Sequence, residues 1–355
     1  MRQYVSARRR WLAYVGVILG VVLLAAACTP AAEPGPSPAP GATEPAGTSA
    51  PAKAKIRFGT LPILDAVPAH IAQQEGYFAA QNLEVEIVPF NSAVERDTAL
   101  LAGRIDAGLN DLPSGLLLNK DGAKAKIVRI AMRATPQRAQ YSILASPKAS
   151  IASVADLKGK EIAISSNSVI EYVTDKLLQD AGLKQGEIKK TEVVAMPLRM
   201  QMLAEGQVAA AVLPEPLATL ARNQGAKVVL SDQGTPYGHS VVLVSQQLVT
   251  QQPDAVKRFL AGWEQGVEAF NKEPNTYRQV MNEAARVPEP LRTTLTLPVY
   301  PTAGVPAADE VEAVGRWFVE KGVLKQVLPH AQVVDASFLP AGAAKQGQGG
   351  YDSAY

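Results

Sequence analysis

The sequence predicts an α/β protein made of two αβα lobes, and three observations carry that prediction. Short apolar runs alternate with helical patterns of roughly ten to fifteen residues, the signature of sheets linked by crossover helices. The alternation starts afresh near residue 160. A helix–glycine–strand segment around Gly103 is echoed around Gly206: with the two glycines aligned, Leu100 matches Leu203, Ile105 matches Val208 and Leu109 matches Val212. A chain of 355 residues has room for two lobes of ordinary size.

The first lobe is expected over residues 55–140. Strand 56–59 runs through a small-residue turn into a helix with Val67, Ile71 and Ala72 on one side and Pro68 in its first turn, where the missing N–H costs nothing. Gly76 ends that helix. Strand Leu83–Val88 leads, with Asn91 or Ser92 as N-cap, into a helix carrying Val94, Leu100 and Leu101. Arg104–Leu109 and Ile127–Met132 read as further strands of a parallel sheet.

Residues 141–240 repeat the scheme as a second lobe. Strand Glu161–Ile164 meets Ser165-Ser166-Asn167-Ser168 and a helix over Val169–Ala181, whose Val169, Val173, Leu177 and Leu178 keep helical spacing. Val193–Met196, Val208–Leu213 and Val228–Leu230 are expected strands, with a helix through Leu198 and Leu203. Tyr141–Ala145 and Val241–Ser245 read as two extended crossings that form a hinge on which the lobes open and close. Residues 241–340 return to the first lobe. One helix there carries Val256, Phe259, Leu260, Trp263, Val267 and Phe270, and a later one Val311, Val314, Trp317 and Phe318, both with broad buried faces.

The N-terminus reads as an address. Arg2, Arg8, Arg9 and Arg10 precede the apolar run Trp11–Ala27, so residues 1–27 are expected to be a signal peptide. Cys28, the single cysteine, follows Ala25-Ala26-Ala27 directly and excludes an intramolecular disulfide. A lone thiol in that place resembles a bacterial lipobox, which implies lipidation of Cys28, although the preferred Leu stands at Leu24, one position early. A plain membrane anchor is the alternative, but seventeen residues is at the short limit for spanning a bilayer. The arginines also resemble a twin-arginine export signal. Residues 28–54 hold seven prolines among Ala, Gly, Ser, Thr and Glu, an extended tether. Residues 341–355, rich in Gly, read as a loose tail. The formal charge of +2 includes the four leader arginines, which leaves −2 for the rest and gives nucleic-acid binding no support.

The residues after the tether resemble a known family. The segments are Ile56–Gly59 with Ala72-Gln73-Gln74-Glu75-Gly76-Tyr77-Phe78, Leu101–Ala107, Glu161–Ile164, Leu203–Gly206 with Glu215-Pro216-Leu217, and Phe259–Trp263. Their order, over about residues 55–340, resembles the solute-binding proteins of ABC importers for nitrate, sulfonate and taurine, a group related to thiamine-pyrimidine-precursor synthase-like proteins. The resemblance implies a type II periplasmic-binding-protein fold with a solute held between the lobes. Where sulfonate-binding members often have an aromatic residue or Gln after the first strand, this chain has Thr60-Leu61-Pro62-Ile63, which argues against a sulfonate.

Strand ends facing the cleft supply the candidate ligand groups. Ser165, Ser166, Asn167 and Ser168 place hydroxyls and open N–H groups at a helix N-terminus, a combination that holds an oxyanion; Asn91 and Ser92 could complete the clamp from the other lobe. The same residues would serve as plain N-caps. Thr60 and Asn110 add hydrogen-bonding groups. Arg199 could pair with an anionic group or be solvated. Asp111 and Glu215 favour an amine or heteroaromatic N–H donor, or else form ion pairs or contact the transporter. Together these groups suit a zwitterion or an aminopyrimidine. His70, His239 and His330 are scattered, and no metal or cofactor site is expected.

The expected function is therefore that of a non-enzymatic, extracytoplasmic lipoprotein, anchored to the membrane by lipid. It is expected to be monomeric, to capture a small polar or anionic organic solute and to deliver it to an ABC permease and its ATPase. A ligand-sensing surface lipoprotein without a permease is one alternative. A thiamine-pyrimidine-precursor synthase-like enzyme is the other, which Cys28 before a tether argues against.

Overall fold

The structure is a computed structural model that describes residues 52–341 and 343. The leader, Cys28 and its lipidation, nearly all of the tether and most of the tail lie outside the described residues. Ala54, expected to end the tether, already belongs to the first strand.

Among the described residues, ten strands form two five-stranded sheets with helices packed on both. In chain order they are β1 (Ala54–Thr60), β2 (Leu83–Pro89), β3 (Ala107–Asp111), β4 (Ala125–Arg133), β5 (Tyr141–Ala145), β6 (Glu161–Ile164), β7 (Lys189–Glu192), β8 (Ala210–Pro214), β9 (Lys227–Ser231) and β10 (His239–Ser245). The first sheet has the order β2-β1-β3-β10-β4, the second β7-β6-β8-β5-β9. The expected two-lobed α/β architecture is present, but the sheets are mixed and not purely parallel. β10 runs antiparallel to β3 and β4, and β5 antiparallel to β8 and β9. Each enters its sheet directly from the other lobe rather than from a crossover helix, so it arrives head-on. Tyr141–Ala145 and Val241–Ser245 are thus strands inside sheets. The two passages between lobes are the segments just before them, residues 134–140 and 232–238.

The lobes repeat with a fixed offset. Helix Ala93–Leu101 and β3 are matched, 103 residues later, by the first ten-residue helix of the second sheet, Met196–Glu205, and by β8. One expected strand, Val193–Met196, is displaced: residues 193–195 are the turn leading into that helix, which Met196 begins, and the strand is the polar Lys189–Glu192 instead. An edge strand keeps its place by pairing, here with β6 from Glu161↔Lys189 to Ile164↔Glu192, and needs no apolar alternation. Pro197 then supplies a ready helix start.

The aromatic stripes are core. Phe259, Trp263 and Phe270 of the long helix Pro253–Lys272 are buried; the Trp263 ring meets Phe58 of β1 edge-on at 5.8 Å, and Phe259 stacks on Phe78 at 5.1 Å. Gly266 lets this helix lie against Val67–Gln74, since a Cβ there would stand 2.3 Å from the Pro68 carbonyl oxygen. On the other face of the first sheet, helix Ala308–Glu320 buries Val311, Val314, Trp317 and Phe318. The same helix reaches the second lobe. Trp317 donates its indole N–H to Asp175 at 2.9 Å, and Lys321 bonds Asn167 at 3.1 Å and Glu171.

Candidate ligand-binding site

A small cavity of about 50 Å³ lies between the two sheets. Ser92, Arg96, Asn110 and Asp111 line it from the first lobe; Ser165, Ser168, Met196 and Arg199 line it from the second. Tyr141 and Ser240, at the starts of β5 and β10, close it beside the hinge. Three helices of eight residues or more begin on it, so their partial positive ends converge there. The Ser92 hydroxyl accepts from the Glu95 N–H at 3.2 Å and Ser168 from the Ile170 N–H at 3.2 Å, while the Ser168 hydroxyl donates to the Ser165 carbonyl at 2.7 Å. The third helix has Ala195 as its N-cap and so lacks a side-chain cap, which leaves its first-turn N–H groups for another acceptor.

Two buried arginines underlie the cavity. Arg199 is fully buried, not solvated: Nε and Nη2 donate to the Val193 carbonyl at 3.0 and 2.7 Å, and Nη1 to the Val212 carbonyl at 3.0 Å. These hydrogen-bond acceptors are neutral, and Glu192 acts on the charge only through space, with no hydrogen bond to it. Burial pulls its pKa down to about 10, still protonated at neutral pH. Arg96 differs, because its Nε donates to Asp97 at 2.9 Å while Nη1 donates to the Leu109 carbonyl at 2.6 Å. Asp97 also accepts from Asn110 Nδ2 at 2.7 Å. Asp111 caps the next helix by accepting from the Ser114 N–H at 2.7 Å; burial pushes its carboxyl up, against the pull of Arg96. The second-lobe wall is thus net positive, and the first-lobe wall presents an ion pair beside a buried carboxyl whose pKa is raised.

Of the residues singled out from sequence, the structure brings Ser92, Asn110, Asp111, Ser165, Ser168 and Arg199 to the cavity wall. Five lie elsewhere. Thr60 is buried at the end of β1, and its carbonyl accepts from the Phe90 N–H; Leu61 and Ile63 turn toward the cleft in its place. Asn91 is exposed, its N–H bound to Glu95. Ser166 is exposed and bonds Glu192, and Asn167, with φ 56°, is engaged by Lys321. Glu215 accepts from the Thr219 N–H and lines a separate cavity at the hinge. His70 sits on the flank of the first lobe, with burial lowering its pKa. Among the described residues no cluster suited to a metal ion occurs. Arg96 was missed by the sequence reading, although the Gly103/Gly206 alignment carried seven residues back pairs it with Arg199.

The fold is shared with solved binding proteins. The alkanesulfonate-binding protein SsuA of Xanthomonas axonopodis pv. citri, with MOPS bound, superposes with a TM-score of 0.69 at 20% identity, over 81% of this chain and 99% of that one. The aliphatic sulphonate-binding protein SsuA of Escherichia coli gives 0.65 at 18% identity, over 79% and 96%. In sequence, a Haemophilus influenzae protein named for thiamine biosynthesis is 26% identical over 213 residues, 58% of this chain; the match spans 65% of that relative's length. Residues 64–277, more than half of the chain and including every polar residue of the cavity wall, match the NMT1/THI5-like family model, and the chain belongs to that family.

Proposed function

We propose that the chain is the extracytoplasmic, lipid-anchored solute receptor of an ABC importer. It captures a small polar or anionic organic solute, of the sulfonate, nitrate or pyrimidine-precursor class, by closing its lobes and hands it to a permease. The observation that carries this reading is the buried Arg199, hydrogen-bonded only to neutral carbonyls, beneath helix N-termini in an interlobe cavity. That arrangement favours an oxyanion on the second-lobe side. Asp111 opposite accommodates a donor on the same solute. The SsuA likeness in fold and the leader ending at Cys28 support an importer setting. Among the described residues the cavity wall has no lysine or histidine, so it lacks the usual groups for a Schiff base or imidazole catalysis, which favours binding over the synthase-like activity suggested by the H. influenzae relative's name.

Calorimetric titration of the purified chain with alkanesulfonates, nitrate, aminopyrimidines and amino acids tests the reading, alongside native mass spectrometry of protein taken from its host. Saturable binding of one class, weakened by Ser168→Ala, supports it. No retained mass and no binding anywhere in the panel would overturn it. Covalent incorporation of pyridoxal phosphate would move the assignment to the enzyme.

A further inference from the structure

A cavity of about 400 Å³ opens on the flank of the first lobe, between helix Val67–Gln74 and helix Arg278–Ala284, over the ends of β1 and β2. It backs onto the wall of the cleft. Thr60 and Pro62 line the flank cavity, while Leu61 and Ile63, alternating with them, line the cleft. Beyond β2 the same division holds, with Pro89 on the flank and Ser92 on the cleft. The two cavities share no lining residue.

The deeper part of the flank cavity carries polar groups that the fold leaves unpaired. Thr60 is 2% exposed and lines it, and the Thr60 hydroxyl hydrogen-bonds to none of the described residues. His70 is half-buried in the same wall, and neither ring nitrogen has a partner among the described residues. Burial lowers its pKa from 6.5, so at pH 7 and above the ring is mostly uncharged and offers one donor and one acceptor. Gln73 gives Nε2 to the Val85 carbonyl at 3.0 Å, which leaves its Oε1 as a further acceptor.

The mouth carries one charge of each sign. Arg286 closes the helix Arg278–Ala284: its N–H donates to the Glu283 carbonyl at 3.2 Å, and the Val287 N–H to the Asn282 carbonyl at 2.8 Å. Arg286 there has φ 46°, whereas every other described residue with a positive φ is glycine or asparagine. Its guanidinium hydrogen-bonds to none of the described residues, the carbonyls at the helix end included. A strained backbone position that presents an unengaged cation to a cavity is the pattern of a ligand clamp. Glu283, exposed on the same rim, accepts from Gln279 at 3.0 Å through one carboxylate oxygen and keeps the other.

We propose that this flank cavity is a second small-molecule site, separate from the cleft, which takes an α-amino acid with an uncharged polar side chain. The carboxylate pairs with Arg286 and the ammonium with Glu283, so both charges of the mouth are matched and neither is repelled. The side chain reaches inward, where a carboxamide, being donor and acceptor at once, answers Thr60 and His70. Its methylenes pass Pro62, Ile87 and Val280. The occupant sits against the back of the segment whose Leu61 and Ile63 face the cleft.

The test uses the full chain and three probes: glutamine, norleucine, which keeps both charges without the carboxamide, and 4-aminobutanamide, which lacks the carboxylate. Binding is followed by calorimetry, by the imidazole resonances of His70 in the flank cavity and by the methyl resonance of Met196 in the cleft. Glutamine should saturate, shift His70 and leave Met196 in place. Norleucine should bind about tenfold more weakly, as expected when polar groups in the wall stay unpaired. 4-Aminobutanamide should lose about as much with the charge-assisted bond to Arg286. Arg286→Gly should weaken glutamine at least about tenfold without lowering the urea midpoint, because glycine suits that backbone position, so the loss cannot be laid to unfolding. No saturation by glutamine at millimolar concentration, a shift at Met196 in place of His70, or binding indifferent to Arg286→Gly would overturn the proposal.

Discussion

Arg96 and Arg199 stand 103 residues apart, and each donates Nη1 to a strand carbonyl thirteen residues downstream, Leu109 at 2.6 Å and Val212 at 3.0 Å. The two lobes thus put the same side chain under the same strand end. A guanidinium supplies the donors that the neighbouring strands β1 and β6 no longer offer, since their pairing with β3 and β8 stops at Gly108 and Ala211, and the carbonyls stay paired in a buried place. The lobes differ in what accompanies the arginine. Asp97 follows Arg96 and pairs with it, whereas Met200 follows Arg199. One residue in the repeat therefore decides that the second-lobe wall is positive and the first is not.

Removing Arg199 should cost stability first. Arg199→Met keeps much of the stem but leaves the Val193 and Val212 carbonyls without their donor. A buried acceptor left unpaired costs about 1–3 kcal/mol, so a loss of about 3 kcal/mol is expected in urea unfolding. Arg199→Lys should recover part of that, since an ammonium cannot span both carbonyls as the planar fork does. Equal stability of all three proteins would show that the arginine is not structural.

Copying the first lobe's solution into the second should separate charge from architecture. Met200→Asp places a carboxylate where the repeat has Asp97, beside a guanidinium whose other partners are neutral. Affinity for an anionic solute should fall about tenfold, in line with the worth of a charge-assisted contact, while a neutral solute is affected much less. An anion affinity that stays the same would mean that Arg199 contributes no field at the cavity.

Much of this was legible from sequence because it rests on periodicity and on small-residue punctuation. The 103-residue echo, the serine cap at Ser168 and the core stripe through Phe259 and Trp263 are local patterns with local causes. The choice among neighbouring polar residues was not legible. Ser165 and Ser168 face the cavity while Ser166 and Asn167 turn away to Glu192 and Lys321, and those partners come from a different strand and from the distant end of the chain. Arg199 looked like an exposed first-turn residue, since nothing in its immediate sequence announces the two carbonyls that it serves. The antiparallel sense of β5 and β10 likewise depends on where the chain comes from, not on what those strands contain.

Asp232 should give the hinge a pH dependence. Its Oδ1 accepts from the backbone N–H groups of Gln140 and Tyr141 at 2.8 and 2.9 Å, tying the second passage to the first, while Oδ2 is buried without a partner. Burial raises its carboxyl from 3.8 to about 7, against the lowering effect of those two bonds. Between those values the unfolded chain has released the proton and the folded chain retains it. Stability from this group therefore falls as pH rises from about 4 to about 7, and levels off above. Asp232→Asn keeps an oxygen for both N–H groups and cannot ionise. Its stability relative to the parent should grow across that window and plateau above it, as read from urea midpoints at stepped pH. A difference that does not change with pH would contradict this.

The contact between Trp317 and Asp175 should hold the lobes together in the absence of solute. Trp317 belongs to a helix packed on the first sheet, and Asp175 to the helix that begins at the cavity with Ser168. Lys190 bonds Asp175 and Glu171 within the second lobe, at 2.9 and 2.6 Å, so both carboxylates keep a partner when the lobes part. Bonds from Lys190 and Lys321 hold Glu171 below its ordinary pKa although burial opposes them, so it stays ionised for the interlobe bond to Lys321. Trp317→Phe removes only the indole donor and keeps the aromatic contact with Tyr172, 5.3 Å away in the parent. One such bond is worth about 1 kcal/mol, or roughly a fivefold shift from closed toward open. Small-angle scattering of the solute-free variant should show a larger radius of gyration, and solute affinity should fall by a similar factor because closure must now be driven by the ligand. If scattering and affinity both match the parent, this contact is incidental to closure.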